Sequence, residues 1–222
     1  MSSQLAFIGS GIMGGPMAGH LLAAGHGVTV HTRTRARAEP LIAKGATWAT
    51  SPAAAAEKAE VVFICVTDTP DVEAVVLGDD GLLSAVRPGM VIVDHSTISP
   101  SATRRFAAAV AEKGALFLDA PVSGGDIGAK NATLSIMVGG DEPAFNRIEP
   151  LLRHMGKTIT HCGPSGTGQL TKLVNQVLVS VTNLAVSESL IFAIQNGLDP
   201  QKTIAAVSGG AVVRDARLQE VT

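Results

Sequence analysis

The chain has 222 residues, a formal net charge of −2, 46% hydrophobic residues and only 3% aromatic residues. This length and composition predict a well-buried globular protein of one large domain, or of one domain with part of a second. The small charge and the few aromatic side chains argue against a nucleic-acid partner. We also expect no apolar run long enough to cross a membrane and no room for a secretory signal before the first strand. Two isolated cysteines, Cys65 and Cys162, fit a reducing cytoplasm as apolar buried thiols rather than a metal or redox pair.

The first predicted elements are a strand, a glycine-rich turn and a helix. The apolar run at residues 5–8 ends in a G-x-G-x-x-G motif, and residues 15–22 then follow a helical pattern. The motif consists of Gly9, Ser10, Gly11, Ile12, Met13 and Gly14. In this context the first glycine permits the tight turn, the second lets the backbone approach a pyrophosphate, and the third lets the helix pack on the strand. The helix start also favours phosphate charge, so the stretch predicts a dinucleotide site, with an ordinary tight turn as the alternative.

The end of the second predicted strand, residues 28–31, bears on which dinucleotide is bound. An NAD site usually places an acidic residue here, bonded to the ribose 2′-hydroxyl. The sequence has instead a polar and basic stretch with no neighbouring carboxylate: His31, Thr32, Arg33, Thr34, Arg35 and Arg37. A guanidinium pairs bidentately with a 2′-phosphate, so we expect NADP preference with Arg33 as the leading contact, and NAD as the alternative. Arg35 and Arg37 individually also fit a solvated basic loop.

Strands and helices alternate through the remainder of residues 1–163. Strands are predicted at residues 46–48, 61–66, 91–94, 116–119, 134–138 and 158–161, and helices at residues 36–44, 52–58, from 69, and 100–113. Ser51-Pro52 and Ser99-Pro100 each combine a capping serine with proline at the first helical position. The alternation predicts a doubly wound α/β domain of the Rossmann type over residues 1–163, with ligands at the carboxyl ends of its strands.

From residue 164 the pattern becomes helical. An apolar stretch without proline or strand signal covers residues 167–195, Asn196 and Gly197 end it, and Asp199-Pro200 begins another helix. A helix of this length exceeds the usual globular range. We therefore predict a long interdomain helix and the start of an incomplete all-α domain over residues 164–222. Because few helices remain to cover the long one, we expect homo-oligomers formed through it.

Three polar stretches lie where a nicotinamide and a substrate are expected. Residues 119–125 follow a strand end and form a backbone-rich loop able to hold a carboxylate, and residues 94–97 end the preceding strand. The third stretch begins the long helix, where Lys172, Asn175 and Gln176 stand at i, i+3 and i+4 and share one face. A lone lysine is most often a solvated surface charge. The glycine-rich helix entry and the two amides favour a functional role for this one.

Four motifs in order along the chain resemble the β-hydroxyacid dehydrogenase family, which includes 3-hydroxyisobutyrate dehydrogenase and tartronate semialdehyde reductase. They are the glycine motif at residues 9–14, residues 119–125, residues 134–140, and Gly166-x-Gly168-x-x-x-Lys172-x-x-Asn175. Asn175-Gln176 and the residues that follow look most like the tartronate semialdehyde reductase branch. The resemblance implies an oxidoreductase that interconverts a small carboxylated semialdehyde (tartronate, methylmalonate or succinic semialdehyde) and its hydroxyacid.

The resemblance also implies roles for the matched residues. Lys172 is implied as general acid in reduction and base in oxidation, since a lysine in a dry cleft can titrate near the working pH. The implied substrate-binding residues are Ser123, Gly124, Gly125, Asn175 and Gln176. The resemblance further implies cofactor contacts at Val66, Thr67, Ser96 and Thr97, with Thr97 beside the nicotinamide ribose.

Several positions depart from the family pattern. Thr32 replaces an asparagine, Ala132 replaces a glycine, and residues 212–217 drift from the expected sequence. Family members continue through further helices with a second lysine in a K-D-L motif, which this sequence does not contain. Two alternatives therefore stay open: a non-catalytic NADP-binding or assembly module, and an enzyme similar to imine reductases. Imine reductases typically lack the lysine matched by Lys172.

Overall fold

A computed structural model describes residues 2–208. The strands are β1 Gln4–Ile8, β2 Gly27–His31, β3 Thr47–Trp48, β4 Val61–Ile64, β5 Val91–Asp94, β6 Leu116–Asp119, β7 Val122–Ser123, β8 Leu134–Gly139 and β9 Gly156–Gly163. The helices are α1 Gly14–Ala23, α2 Glu39–Ile42, α3 Pro52–Ala56, α4 Thr69–Leu77, α5 Pro100–Ala111, α6 Gly125–Lys130, α7 Glu142–Leu152, α8 Thr167–Gln195 and α9 Pro200–Val207.

The strands form one nine-stranded sheet in the order β3-β2-β1-β4-β5-β6-β8-β7, with β9 also paired to β8. Strands β1 to β6 are parallel, whereas β8 runs antiparallel to β6 and β7. The chain leaves β1 toward β2 on one side and later returns to β4 on the other side. A ligand crevice is expected at such a reversal of strand order. The predicted doubly wound α/β fold is thus confirmed.

Two buried apolar clusters cover the two faces of the sheet. Phe7 and Phe63 on neighbouring strands stack with ring centroids 5.9 Å apart in one cluster, while Ile8 and Ile64 belong to the other. All four residues of β4 are buried, as expected for a parallel strand with helices on both faces. This packing fixes the carboxyl ends of β1 and β4 side by side.

Several local predictions were wrong in extent. The helix expected at residues 36–44 is a 3₁₀ turn, Arg35–Arg37, followed by the four-residue α2. Residues 119–125 are not one loop, because Val122 and Ser123 pair with β8 and Gly125 begins α6. Helix α7 was not predicted. Its pattern is interrupted by Pro150, which lies inside the helix.

The two predicted serine caps behave differently. The Ser51 hydroxyl accepts the Ala54 N–H at 3.1 Å, which confirms the cap of α3. Ser99 makes no such bond, and its hydroxyl lies 2.8 Å from that of Ser101. The start of α5 therefore depends on Pro100, whose fixed φ suits the first helical position.

The chain divides into two compact units, Met1–Lys172 and a second that begins at Leu173. The long helix is confirmed as α8, with 29 residues. Gly197, at φ +72°, ends it with the Leu198 N–H bonded to the Ala193 carbonyl at 3.0 Å. Asp199 then caps α9 by accepting the Lys202 N–H at 3.1 Å. The predicted domain boundary at residue 163 stays a prediction, and residues 212–217 lie outside the described part.

The length and composition of α8 correct one expectation. By these two criteria alone the helix could cross a membrane, and 6% of its most apolar window is buried. The expectation that no run reaches this length was wrong, because an 18-residue window of α8 has a mean hydropathy of 1.9 with at most two charged residues. One such helix is weak evidence, because core helices pass the same test. The absence of a membrane partner stays a prediction.

Candidate cofactor and active site

A cavity of about 650 Å³ opens at the carboxyl ends of β1, β2 and β4, where the strand order reverses. The register aligns Ile8 with both His31 and Ile64, so the residues after these three positions meet at one edge. Most of the predicted cofactor residues line it: Gly9, Gly11, Ile12, Met13, Gly14, Thr32, Arg33, Thr34, Val66 and Thr67. The structure also adds residues that were not predicted: Pro52, Cys65, Asp71, Ala74 and Val75.

The three motif glycines occupy three different environments. A Cβ on Gly9, at φ +98°, would lie 2.2 Å from the Cys65 carbonyl oxygen, and a Cβ on Gly14 would lie 2.0 Å from the Gly9 carbonyl oxygen. A Cβ on Gly11 would meet nothing within 4 Å and would occupy space on the cavity side. The first and third glycines are required by the protein's own packing, and the second leaves room for a ligand. This arrangement fits a dinucleotide pyrophosphate.

Three predicted cofactor residues lie outside the lining of the cavity. Ser10 is buried, and its hydroxyl has no hydrogen-bond partner among the described residues. The Ser96 hydroxyl accepts the Val66 N–H at 3.0 Å, so it supports a lining residue. Thr97 is exposed.

Arg33 and Asp71 form an ion pair at the rim of the cavity. The Arg33 Nη1 atom donates to Asp71 Oδ1 at 3.1 Å, with 82% of the arginine side chain and 28% of the aspartate side chain exposed. The sequence places no carboxylate near Arg33, but folding brings one from α4, 38 residues away. The expectation that no carboxylate neighbours the basic stretch was therefore wrong, because Asp71 is its neighbour in the folded chain. The signal available in the sequence was the Thr69-Pro70 helix start, which follows the end of β4 at Ile64 after a short connection.

Two buried carboxylates lie next to each other at the ends of β5 and β6, where Asp94 and Asp119 are register partners. Asp94 Oδ1 accepts the Ser96 N–H at 2.9 Å, and its Oδ2 has no partner among the described residues. Burial raises the pKa of Asp94 to about 7, and the nearby Asp119 charge adds to this shift. Burial also lowers the pKa of His95 to about 4, opposed by its bond to the Ala120 carbonyl at 2.7 Å.

Asp119 connects the sheet to the start of α8. Its Oδ1 accepts the Gly166 N–H at 2.8 Å and its Oδ2 accepts the Gln169 N–H at 2.9 Å. Two glycines make this approach possible, because a Cβ on Gly139 would lie 2.7 Å from Asp119 Oδ1 and a Cβ on Gly168 would lie 2.4 Å from the Met137 carbonyl oxygen. The glycine-rich helix entry is therefore a packing requirement that fixes the first turn of α8.

Gln169 fixes the same turn from its side chain. Its amide oxygen accepts the Ile98 N–H at 3.1 Å, and its amide nitrogen donates to the Ser96 carbonyl at 2.8 Å. Gln169 is fully buried, and Lys172 follows it by three residues on the same helical face. Lys172 is itself only 8% exposed. Sequence reasoning selected the lysine but missed the glutamine that holds its helix turn.

The predicted substrate residues fall in two places. In the first unit, Ser123 ends β7 half-buried, and Gly124 and Gly125 follow with φ values of +132° and +62° at the start of α6. Asn175, half-buried, and Gln176, exposed, belong to the second unit on α8. Their joint role in a site stays a prediction.

Two family models match this chain along most of its length. One, described as the NAD binding domain of 6-phosphogluconate dehydrogenase, matches residues 4–163. The other, described as NAD-binding of NADP-dependent 3-hydroxyisobutyrate dehydrogenase, matches residues 166–216. The 2-hydroxy-3-oxopropionate reductase of Escherichia coli K12 is 48% identical over 207 residues, which are 93% of this chain and 70% of that protein. The chain belongs to the β-hydroxyacid dehydrogenase family.

Two solved structures share the fold of this chain. The Mycobacterium tuberculosis 3-hydroxyisobutyrate dehydrogenase with L-serine superposes with a TM-score of 0.86 at 36% identity, over 95% of this chain and 72% of that one. Psf3 in complex with NADP+ and 2-OPP gives a TM-score of 0.90 at 34% identity, over 97% and 76%. The chain is thus an oxidoreductase of a family that binds NAD(P) and acts on hydroxyacids.

Proposed function

We propose that this chain is an NADP-preferring reductase that interconverts a small carboxylated semialdehyde and its hydroxyacid. The observation that supports this most is the position of Lys172, a nearly buried lysine one turn beyond a helix start that Asp119 and Gln169 clamp to the strand ends. A buried lysine has to be stabilised by its surroundings, so this placement favours a chemical role over a solvated charge.

In this proposal each group of residues has a distinct task. Gly9, Gly11 and Gly14 admit the pyrophosphate, and the bound nicotinamide supplies or accepts the hydride. Lys172 Nζ donates a proton to the carbonyl oxygen in reduction and accepts it from the hydroxyl in oxidation. The substrate carboxylate and hydroxyl are held by the following set: Ser123, Gly124, Gly125, Asn175 and Gln176.

The proposed NADP preference depends on the polar stretch after β2. Arg33 lines the cavity and can pair with a 2′-phosphate through two N–H groups, and Thr32 and Thr34 can add hydroxyl hydrogen bonds. Arg37 also lines the cavity and adds positive charge. Val66 and Thr67 are proposed to line the nicotinamide side together with Thr97, whereas Ser96 supports Val66 from behind.

A substrate panel tests the proposal. Oxidation of NADPH and NADH by the full chain is followed at 340 nm with tartronate, methylmalonate and succinic semialdehydes, and reduction of NADP+ is followed with L-serine. We expect turnover of at least one semialdehyde with a higher kcat/KM for NADPH. Tight NADPH binding with no turnover of any compound would contradict the enzymatic proposal and favour the non-catalytic module. An apolar pocket discriminates substrates that differ by one methylene or an added hydroxyl by only about 1–3 kcal/mol, so the panel must decide the substrate.

A further inference from the structure

The two ends of the Arg33–Asp71 ion pair belong to different elements that meet at one cavity. Arg33 follows β2, and Asp71 lies in the first turn of α4. Both side chains line the cavity beside the motif glycines. The pair therefore occupies the region where the adenosine ribose of a dinucleotide is expected, next to the end of the second strand.

The carboxylate of Asp71 stands on an anchored helix start. Asp68 Oδ1 accepts the Thr69 N–H at 2.6 Å, and Thr69 Oγ1 accepts the Ser99 N–H at 3.2 Å. These contacts fix the first turn of α4 on both sides. Arg33, by contrast, is 82% exposed and has a long side chain. When a ligand enters, the Arg33 side chain can therefore rotate to a new partner at a smaller cost in free energy than a movement of Asp71 with its helix turn would require.

We propose that Asp71 sets the ratio of the affinities for NADPH and NADH in this protein, because it competes with a 2′-phosphate for Arg33. This inference rests on the proposed cofactor site. A 2′-phosphate has to attract Arg33 away from Asp71 and is repelled by the carboxylate. A ribose 2′-hydroxyl can instead donate to the carboxylate, as it does to the acidic residue at the end of the second strand in NAD sites. Asp71 thus supplies from α4 the acid that β2 lacks.

The other basic side chains that line the cavity do not remove this effect. His31 and Arg37 line the same cavity. The ring of His31 is held by the Ala49 carbonyl, 3.0 Å from its Nδ1. Arg37 attracts the 2′-phosphate of NADPH. It does not strengthen the hydrogen bond that the 2′-hydroxyl of NADH would donate to Asp71. The cavity therefore has groups that favour each of the two cofactors, and in this proposal the Asp71 charge sets the ratio of the affinities for NADPH and NADH.

Four variants of the full chain test the proposal by calorimetric Kd values for NADPH and NADH: Asp71→Asn, Asp71→Ala, Arg33→Ala and Glu73→Gln. Glu73 is the matched control, since it lies on the same helix, pairs with Arg105 at 2.9 Å and is outside the cavity lining. We expect Asp71→Asn and Asp71→Ala to tighten NADPH binding by roughly three- to tenfold, in the range of a partly exposed charge interaction. Asp71→Ala should also weaken NADH binding several-fold, and Glu73→Gln should change neither Kd.

The outcomes separate this inference from the proposed function. If Arg33→Ala weakens NADPH binding while both Asp71 variants leave the two Kd values unchanged, the role of Asp71 is overturned and the NADP site stands. If Arg33→Ala leaves NADPH binding unchanged, the proposed NADP preference itself fails. If Glu73→Gln changes the two Kd values by the same factors as Asp71→Asn does, the inference is overturned. That result would show that any negative charge removed from α4 has this effect.

Discussion

Asp119 accepts the backbone N–H of Gln169 at 2.9 Å, and this bond joins the end of β6 to the first turn of α8. The same carboxylate accepts the Gly166 N–H through its other oxygen. One buried side chain therefore caps the helix that carries Lys172. Burial raises the pKa of Asp119 and the bonded N–H groups lower it, so the carboxylate is desolvated but hydrogen-bonded on both oxygens. Loss of this contact should affect both stability and catalysis.

We expect Asp119→Asn to lower the free energy of unfolding by about 1–3 kcal/mol. The asparagine NH2 group would replace one carboxylate oxygen, and the backbone N–H now bonded to that oxygen would lose its acceptor. The substitution should also lower kcat with little change in the Kd of the cofactor, because the glycine turn is untouched. Urea unfolding and steady-state kinetics check these two effects. Asp126→Asn is the control, since its exposed bond to Lys130 at 2.8 Å should matter little. Equal stability of the two variants would contradict the capping role.

The close approach of α8 to the sheet gives a second prediction. Gly168→Ala should destabilise the protein by about 2–4 kcal/mol, because its Cβ would lie 2.4 Å from the Met137 carbonyl oxygen and 2.6 Å from that of Asp119. Gly19→Ala is the matched control inside α1, where the nearest atom would be 3.8 Å away. That change should be neutral or stabilise by up to about 1 kcal/mol. Thermal unfolding of both variants distinguishes packing from helix propensity.

The proposed acid gives a third prediction. Lys172→Ala should lower kcat on the order of 10²-fold or more while the cofactor still binds, because proton transfer is lost and the glycine turn is intact. Lys172→Arg should not restore activity, because a guanidinium does not release its proton near neutral pH. Lys157→Ala, on the exposed part of β9, serves as control and should keep full activity. A Lys172→Ala variant with normal kcat would refute the assignment.

The buried carboxylate of Asp94 predicts a pH effect of defined sign. Its folded-state pKa of about 7 lies above the ordinary 3.8, so the folded state binds this proton more tightly than the unfolded state. The Asp94 contribution therefore lowers stability as pH rises from about 4 to about 7 and is constant above that. The lowered pKa of His95 acts in the opposite direction between about 4 and 6.5. The pH dependence of the wild type alone thus mixes two effects.

Comparison with Asp94→Asn isolates the carboxylate. The variant keeps the acceptor for the Ser96 N–H and cannot ionise. Its stability relative to the wild type should increase from pH 4 to pH 8 by at most about 4 kcal/mol, the equivalent of three pKa units. Chemical unfolding at a series of pH values measures this difference. A difference that does not depend on pH would show that Asp94 is not the group responsible.

The apolar surface of α8 gives the last prediction. Val177, Val181 and Leu184 recur on one helical face and are each more than 60% exposed. We expect the full chain to associate through this face, and the double change Val177→Asp with Val181→Asp to shift the sedimenting species toward the monomer. Asn183→Asp, on another face of the helix, is the control. A monomeric wild type in dilute analytical ultracentrifugation would contradict the proposed association.

Local sequence determined much of the fold of this protein. The glycine motif after β1 places a left-handed turn residue, an open position and a packing position within six residues, and this local pattern sufficed to predict its turn. The length of α8 and its termination at Gly197 follow from composition and one left-handed residue. Short elements such as β7 and α6 were missed, because two paired residues and a glycine-started helix carry little periodic signal. Strand β7 forms only because β8 is present to pair with it.

The sequence by itself determined the doubly wound order of strands and helices, the phosphate-binding turn and the lysine at the start of the long helix, because these depend on short-range pattern. Only the tertiary structure decided which groups meet across the sheet edge. Asp71 reaches Arg33 from 38 residues away, and Asp119 caps α8 from 50 residues away. Parallel strands bring their carboxyl ends together regardless of separation along the chain. For that reason the contact of Asp71 with Arg33, and that of Asp119 with the helix turn before Lys172, became visible only in the folded chain.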